Sequence, residues 1–92
     1  FNDRGSCLAG VIISQEIMQG VIFLPTGAWF DPENTSNFCI HGNPNVLTKD
    51  EGCSSLSQGP SAHSTLVEVT KWKGKLPRLK AFDKPKISIK IL

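Results

Sequence analysis

The chain has no run of eighteen apolar residues anywhere in its 92, which excludes a transmembrane helix. No signal peptide opens it, and it begins at "FNDRG" without an initiator methionine, so it is expected to be cut from something longer. Cysteine is scarce and odd in number: Cys7, Cys39 and Cys53 form no CxxC pair. That argues against a disulfide framework and makes buried or free thiols the default. The nearest approach to metal-ligand spacing is Cys39-x-His41, with Cys53 and His63 distant, and zinc sites usually show tighter ligand pairs. No Walker loop, GxGxxG fingerprint or GxSxG elbow is present. Serines, His41 or His63 and an aspartate could be combined on paper into a hydrolytic triad, but no motif supports one. "NTS" at Asn34 fits a glycosylation sequon, a motif too short to carry weight.

What is present describes a single small domain. A hydrophobic fraction of 39% and a charged fraction of 20% are those of a soluble globular chain. Eight glycines and six prolines in this length favour short strands joined by turns. Charge is segregated: eight of the ten basic residues lie from Lys71 onward, opposed there only by Asp83. Such a tail suits either an anionic partner or an acidic neighbour in a larger protein. No interleaved aromatics of the single-strand-binding kind point to nucleic acid.

Along the chain, "NDRG" reads as a turn. "CLAGVIIS" reads as a buried strand and "GVIFLP" as a second one, stopped by Pro25. "AWFDPENTSNF" reads as a long irregular surface loop. "TKDEGCSSLSQ" could hold one short helix capped by Thr48 or Asp50. "STLVEVTKW", Ser64 to Trp72, is the clearest strand pattern. In the tail, Ile87, Ile89 and Ile91 alternate with Ser88 and Lys90, as in a half-buried or lysine-protected edge strand. The expected class is mainly β with long loops and little helix. Loops this long in so small a domain are usually functional or held by a partner.

Two polar loops each lead into an apolar stretch: "HGNPN" before Val46-Leu47-Thr48, and "QGPSAHS" before Leu66-Val67-Glu68-Val69. Asparagine carries a donor and an acceptor on a short stiff side chain, histidine a ring, and glycine allows close backbone approach. Two such loops could hold a flat heterocycle with amide and carbonyl edges. They could equally be local turns, with Asn43 and Asn45 capping the chain and His63 a surface residue. The residues alone look like a binding module rather than a self-contained enzyme, and an autonomous β-barrel interaction module using its basic tail is the alternative.

"FNDRG…LAGV", "PTGAWFDP", "HGNPNVLT", "QGPSAHSTLVEV" and "KWKGKLPRLKAF", in this order, closely resemble the C-terminal end of molybdenum oxidoreductases of the dimethyl sulfoxide reductase family. The likeness is nearest to the biotin sulfoxide and trimethylamine N-oxide reductase branch and runs from Phe1 to about Phe82. It implies that residues 1–82 are the C-terminal portion of a molybdopterin-dinucleotide-binding domain, a partial double-psi β-barrel. Residues 83–92 would be a basic tail with a candidate edge strand. The implied cofactor is bis(molybdopterin guanine dinucleotide), and the implied partners are the remaining domains of a bacterial S-oxide or N-oxide reductase. Nucleic acid and membrane insertion are not implied. The implied compartment is the periplasm, with the cytoplasm as alternative.

Carried over motif by motif, the cofactor-binding residues implied are Asn45, Ala62, His63 and Ser64. Gln58 is a weaker candidate, and Asn43 and His41 would shape the turn. The molybdenum ligand and substrate funnel belong to other domains of such enzymes, so no catalytic residue is implied. Two departures stand out: Cys53 where threonine is common, and Phe30 after Trp29 where tyrosine is usual, which loses a hydroxyl.

Overall fold

A computed structural model describes residues 1–85 and 87 of the chain. Three short strands form one sheet: β1 (Ser6–Cys7), β2 (Pro32–Glu33) and β3 (Thr35–Cys39), in the order β1-β3-β2. β1 lies parallel to β3 with Ser6 opposite Phe38 and Cys7 opposite Cys39, and Leu8 N extends the pairing to Cys39 O at 2.9 Å. β2 runs antiparallel to β3, with a register shift between Pro32 and Glu33. Asn34 makes the reversal at φ 61°, a left-handed conformation that asparagine tolerates better than most residues. Pro32 has no N–H for a ladder, and β2 is an edge strand where none is needed. Two single turns of 3-10 helix complete the regular structure of the described residues: η1 (Pro44–Val46) and η2 (Ala62–Ser64).

Burial centres on β3 and the turn that follows it. Cys39 is fully buried, and Ile40, Leu47 and Asp31 nearly so. The Cys39 sulfur accepts from Asp31 N and His41 N, both at 3.4 Å, and so stitches the β2 approach to the β3 exit. Gly5 packs where no side chain fits: a Cβ there would lie 2.6 Å from both Asn37 O and Val46 O. β1, β3 and η1 therefore meet at van der Waals distance because residue 5 is glycine.

Much of the apolar sequence lies outside this core. Ile12 and Ile13 are 92% and 95% exposed, and Val11, Met18, Phe23 and Leu66 are also exposed. The radius of gyration is 16.5 Å, whereas a compact domain of about 100 residues measures about 13 Å. The chain is thus an open arrangement around a small nucleus.

The stretch from Arg78 to Asp83 meets acidic groups. Arg78 pairs with Asp83 through two hydrogen bonds of 2.8 and 2.9 Å, and Lys80 Nζ reaches Glu33 at 3.1 Å. Buried Asp31 accepts from the backbone N–H groups of Lys80 and Ala81 through Oδ2, the latter at 2.8 Å. This clamp places Phe82 against Trp29 and edge-on to His41, with ring centroids 5.6 and 5.0 Å apart.

The described residues hold almost no helix and few strands, which is consistent with the mainly β, loop-rich class expected from composition, but several elements fall elsewhere. "CLAGVIIS" contributes only Cys7 to a strand, and "GVIFLP" contributes none. Their β-branched residues match the propensity of a strand, yet no neighbour among the described residues pairs with them. "STLVEVTKW" likewise forms no strand, although Glu68 and Phe1 exchange two backbone bonds of 2.8 Å. The segment read as an irregular loop, "AWFDPENTSNF", carries β2 and most of β3. Its many Asn, Ser and Thr residues hid a strand, because this strand is chosen by tertiary pairing rather than by propensity. The short helix capped by Thr48 or Asp50 is absent; a lone bridge pairs Gly52 with Pro60 instead. The strand expected in the tail lies outside the described residues apart from exposed Ile87.

Candidate cofactor-binding site

The site begins with the turn after β3. Gly42 adopts φ +79°, where an L side chain is strained, and a Cβ there would sit 3.1 Å from Leu8 O. The chain then enters η1 through Asn43, whose Oδ1 accepts from Asn45 N at 2.9 Å and whose Nδ2 donates to Ala28 O at 3.0 Å. Pro44 supplies the fixed φ of a first helical position, and Leu47 N closes the turn on Pro44 O at 3.0 Å. Asn43 is therefore spent on the turn. Asn45 is exposed, and its side-chain amide makes no hydrogen bond among the described residues.

Asn2 ties this turn to the second polar loop. Its Nδ2 donates to Leu47 O at 2.9 Å and to Leu66 O at 3.1 Å. Its Oδ1 accepts from Arg4 N at 2.9 Å and Gly5 N at 3.3 Å. Arg4 Nε adds a 2.7 Å bond to Leu47 O. One amide, with all four of its bonding positions in use, thus joins the end of η1 to the stretch just after η2.

Two concavities flank Asn45. The first, about 380 Å³, is lined by Phe30, Asn37, Asn43, Asn45 and Val46. The second, about 460 Å³, runs from Asn45 past Thr48, Lys49 and Asp50 to Gln58, Ser61 and Ala62. The second loop holds itself in place by Ser61 Oγ donating to Glu51 O at 3.0 Å and Ser64 Oγ to Ser61 O at 2.8 Å. Gln58 takes φ 54° against Gly52, so that residue 52 has no room for a side chain.

Of the residues carried over from the resemblance, Asn45 and Ala62 share the second concavity, and Gln58 joins them. His63 and Ser64 sit on η2, exposed, and line neither concavity. His41 bonds Trp29 O through Nδ1 at 3.1 Å, which ties the turn to the segment before β2. Sequence reasoning missed Asn37 and Asn2. Asn37 was hidden inside the presumed loop, and Asn2 was read only as a turn former.

The two linings carry the neutral polar side chains of Asn37, Asn43, Asn45, Thr48, Gln58 and Ser61. Amides and hydroxyls can fix an uncharged heterocycle edge with direction, and Phe30 offers a face to stack on. These groups fit the ring ends of a dinucleotide. Asp50 and Glu51 beside Lys49 leave the second concavity without the positive excess a phosphate group favours. Among the described residues no three His, Cys, Asp or Glu side chains gather to hold a metal. Burial raises the thiol pKa of Cys7, which lies beside Cys39, and so disfavours its thiolate.

A small β-and-turn unit that presents neutral amides beside an aromatic ring has groups able to hold a flat ligand. Residues 1–66 match the family model described as "Molydopterin dinucleotide binding domain", and the chain belongs to that family. It is 46% identical over 88 residues to a trimethylamine-N-oxide reductase of Salmonella typhi, a match that covers 92% of this chain and 10% of the relative. Trimethylamine-N-oxide reductase 1 of Escherichia coli K12 is 48% identical over 77 residues, covering 80% of this chain and 9% of the relative. The Vibrio vulnificus trimethylamine-N-oxide reductase is 41% identical over 87 residues, covering 92% and 11%. The chain thus spans about a tenth of the length of the curated relatives it matches. No solved structure matches it.

Proposed function

We propose that this chain is the cofactor-binding C-terminal portion of a molybdenum oxidoreductase that reduces N-oxides or S-oxides by oxygen-atom transfer. Its ligand in this reading is bis(molybdopterin guanine dinucleotide). The observation that carries the proposal is the presentation of Asn45: Asn43, Gly42 and Pro44 satisfy the turn internally and leave the Asn45 amide facing two concavities. The cofactor, when bound, supplies the redox and oxo-transfer chemistry. This chain's residues bind and orient it: Asn45 and Ala62 along the second concavity, with His63 and Ser64 joining from η2. Each well-made neutral bond contributes on the order of 1 kcal/mol.

In the same reading the small sheet is part of a double-psi β-barrel. The exposed "VIIS" and "VIFL" segments find their strand partners in the rest of the parent enzyme, which works in the periplasm. The names of the relatives favour an amine N-oxide over biotin sulfoxide as substrate. The test is Asn45→Ala and His63→Ala in the full-length reductase, with molybdenum and pterin measured per protein. Lower occupancy in both is expected. Wild-type occupancy and activity in both would overturn the site assignment.

A further inference from the structure

The first concavity contains two side chains that the proposal above does not use. Asn37 stands on β3, the central strand of the sheet, and its own carbonyl is pinned by the close approach of Gly5. Phe30 forms another wall, and Asn45 reaches in from η1. Asn43, also in the lining, has both ends of its amide committed to Ala28 O and Asn45 N. That leaves the amides of Asn37, on β3, and Asn45, on η1, lining one concavity together with the Phe30 ring. A volume of about 380 Å³ lies at the small end of the range of about 300–1,000 Å³ usual for small-molecule sites.

Two amides beside a ring suit a specific kind of ligand. Each amide offers a donor and an acceptor side by side, so each matches one donor–acceptor pair on a flat heterocycle. A 2-amino-4-oxopyrimidine ring presents two such pairs, the ring N–H beside its carbonyl and the exocyclic amino group beside a ring nitrogen. A ring lacking the amino group offers one of them only. Phe30 supplies stacking without a competing hydroxyl, which turns its departure from the usual tyrosine into a gain in apolar surface.

We propose that Asn37 and Asn45 read the 2-amino-4-oxopyrimidine edge shared by guanine and pterin, with the ring stacked on Phe30. The inference rests on the cofactor reading above and adds Asn37 and Phe30 as binding residues.

The test uses the full-length reductase, as holoenzyme and as apoprotein from a cofactor-deficient host. Asn37→Ala and Phe30→Leu are expected to lower molybdenum and pterin content about fivefold or more under limiting cofactor. Phe30→Tyr should retain it, and the apoprotein thermal midpoint should stay at the wild-type value in all three. Guanosine monophosphate and neopterin are then added separately to wild-type apoprotein. A rise in midpoint with the first identifies the guanine end and with the second the pterin end, and Asn37→Ala should abolish either rise. Inosine monophosphate, which lacks the amino group, should shift the midpoint less.

The proposal is overturned if neither compound raises the midpoint, or if inosine monophosphate acts as strongly as guanosine monophosphate. It is also overturned if the losses in Asn37→Ala and Phe30→Leu come with a matching fall in apoprotein midpoint. Full occupancy in those two variants beside a loss in Asn45→Ala would sink this inference and leave the broader reading standing. Full occupancy in all three and in His63→Ala would sink both.

Discussion

Replacing Asn2 by alanine should loosen two loops at once, although Asn2 lines neither concavity. The side chain makes four hydrogen bonds, to Leu47 O, Leu66 O, Arg4 N and Gly5 N. A net contribution of about 0.5–1.5 kcal/mol per bond gives a gross loss of about 2–6 kcal/mol. Two reductions apply. Leu47 O keeps its 2.7 Å bond from Arg4 Nε, and the Leu66 bond is exposed, so water replaces it. A loss of about 2–4 kcal/mol remains, which corresponds to roughly 30- to 1,000-fold more frequent local opening. The assay is hydrogen exchange by mass spectrometry on the full-length reductase, read on peptides covering residues 44–48 and 64–68. Both should lose protection together, and molybdenum content should fall with them. Asn2→Asp keeps the acceptor bonds to Arg4 and Gly5 but turns an oxygen toward two carbonyls, so it should loosen the loops as well. Unchanged exchange at either loop in Asn2→Ala would refute the idea that this amide couples them.

Gly5→Ala should destabilise the β1–β3–η1 contact by about 1–3 kcal/mol, because its Cβ meets two backbone oxygens that cannot swing away; a thermal melt of the apoprotein reads the loss. Asp31→Ala should leave the N–H groups of Lys80 and Ala81 unpaired, at a cost of about 1–3 kcal/mol each. Limited trypsin digestion should then cut at Arg78 and Lys80 faster than in wild type. Cys53, exposed, should react with iodoacetamide first, half-buried Cys7 later and buried Cys39 last, as peptide mapping would show. Because burial raises the Cys7 thiol above its ordinary 9.0, the folded chain binds that proton more tightly than the unfolded one. Its contribution to stability is complete below pH 9 and is lost as pH rises through the folded value, and Cys7→Ala should remove that part of the alkaline loss.

The local chemistry of the site was legible because it is local. Gly42, Pro44 and Asn43 announce a turn by residue type, and the turn is made by those residues with bonds two positions apart. The mainly β character followed from glycine, proline and β-branched content. The strands themselves did not. β3 is polar along most of its length and is held by pairing with β1, about thirty residues earlier, so no window of sequence contains its reason. The opposite error occurred at "VIIS" and "VIFL", where propensity is high and a pairing neighbour is missing among the described residues. Asn2 escaped notice for a similar reason: a residue at the head of a turn has an obvious local use, and its long-range bonds to Leu47 and Leu66 leave no mark on spacing.

The bonds from Asn2 to Leu66, and from Phe1 to Glu68, also set an order of events. Chains are made from the N-terminus, and contacts between distant positions form only when the later partner exists. Asn2 cannot fasten the two loops until residue 66 has been synthesised and has left the ribosome. The face that presents Asn45 is therefore completed only after residue 66 has emerged, so a nascent chain stalled before that point should hold no cofactor at this site.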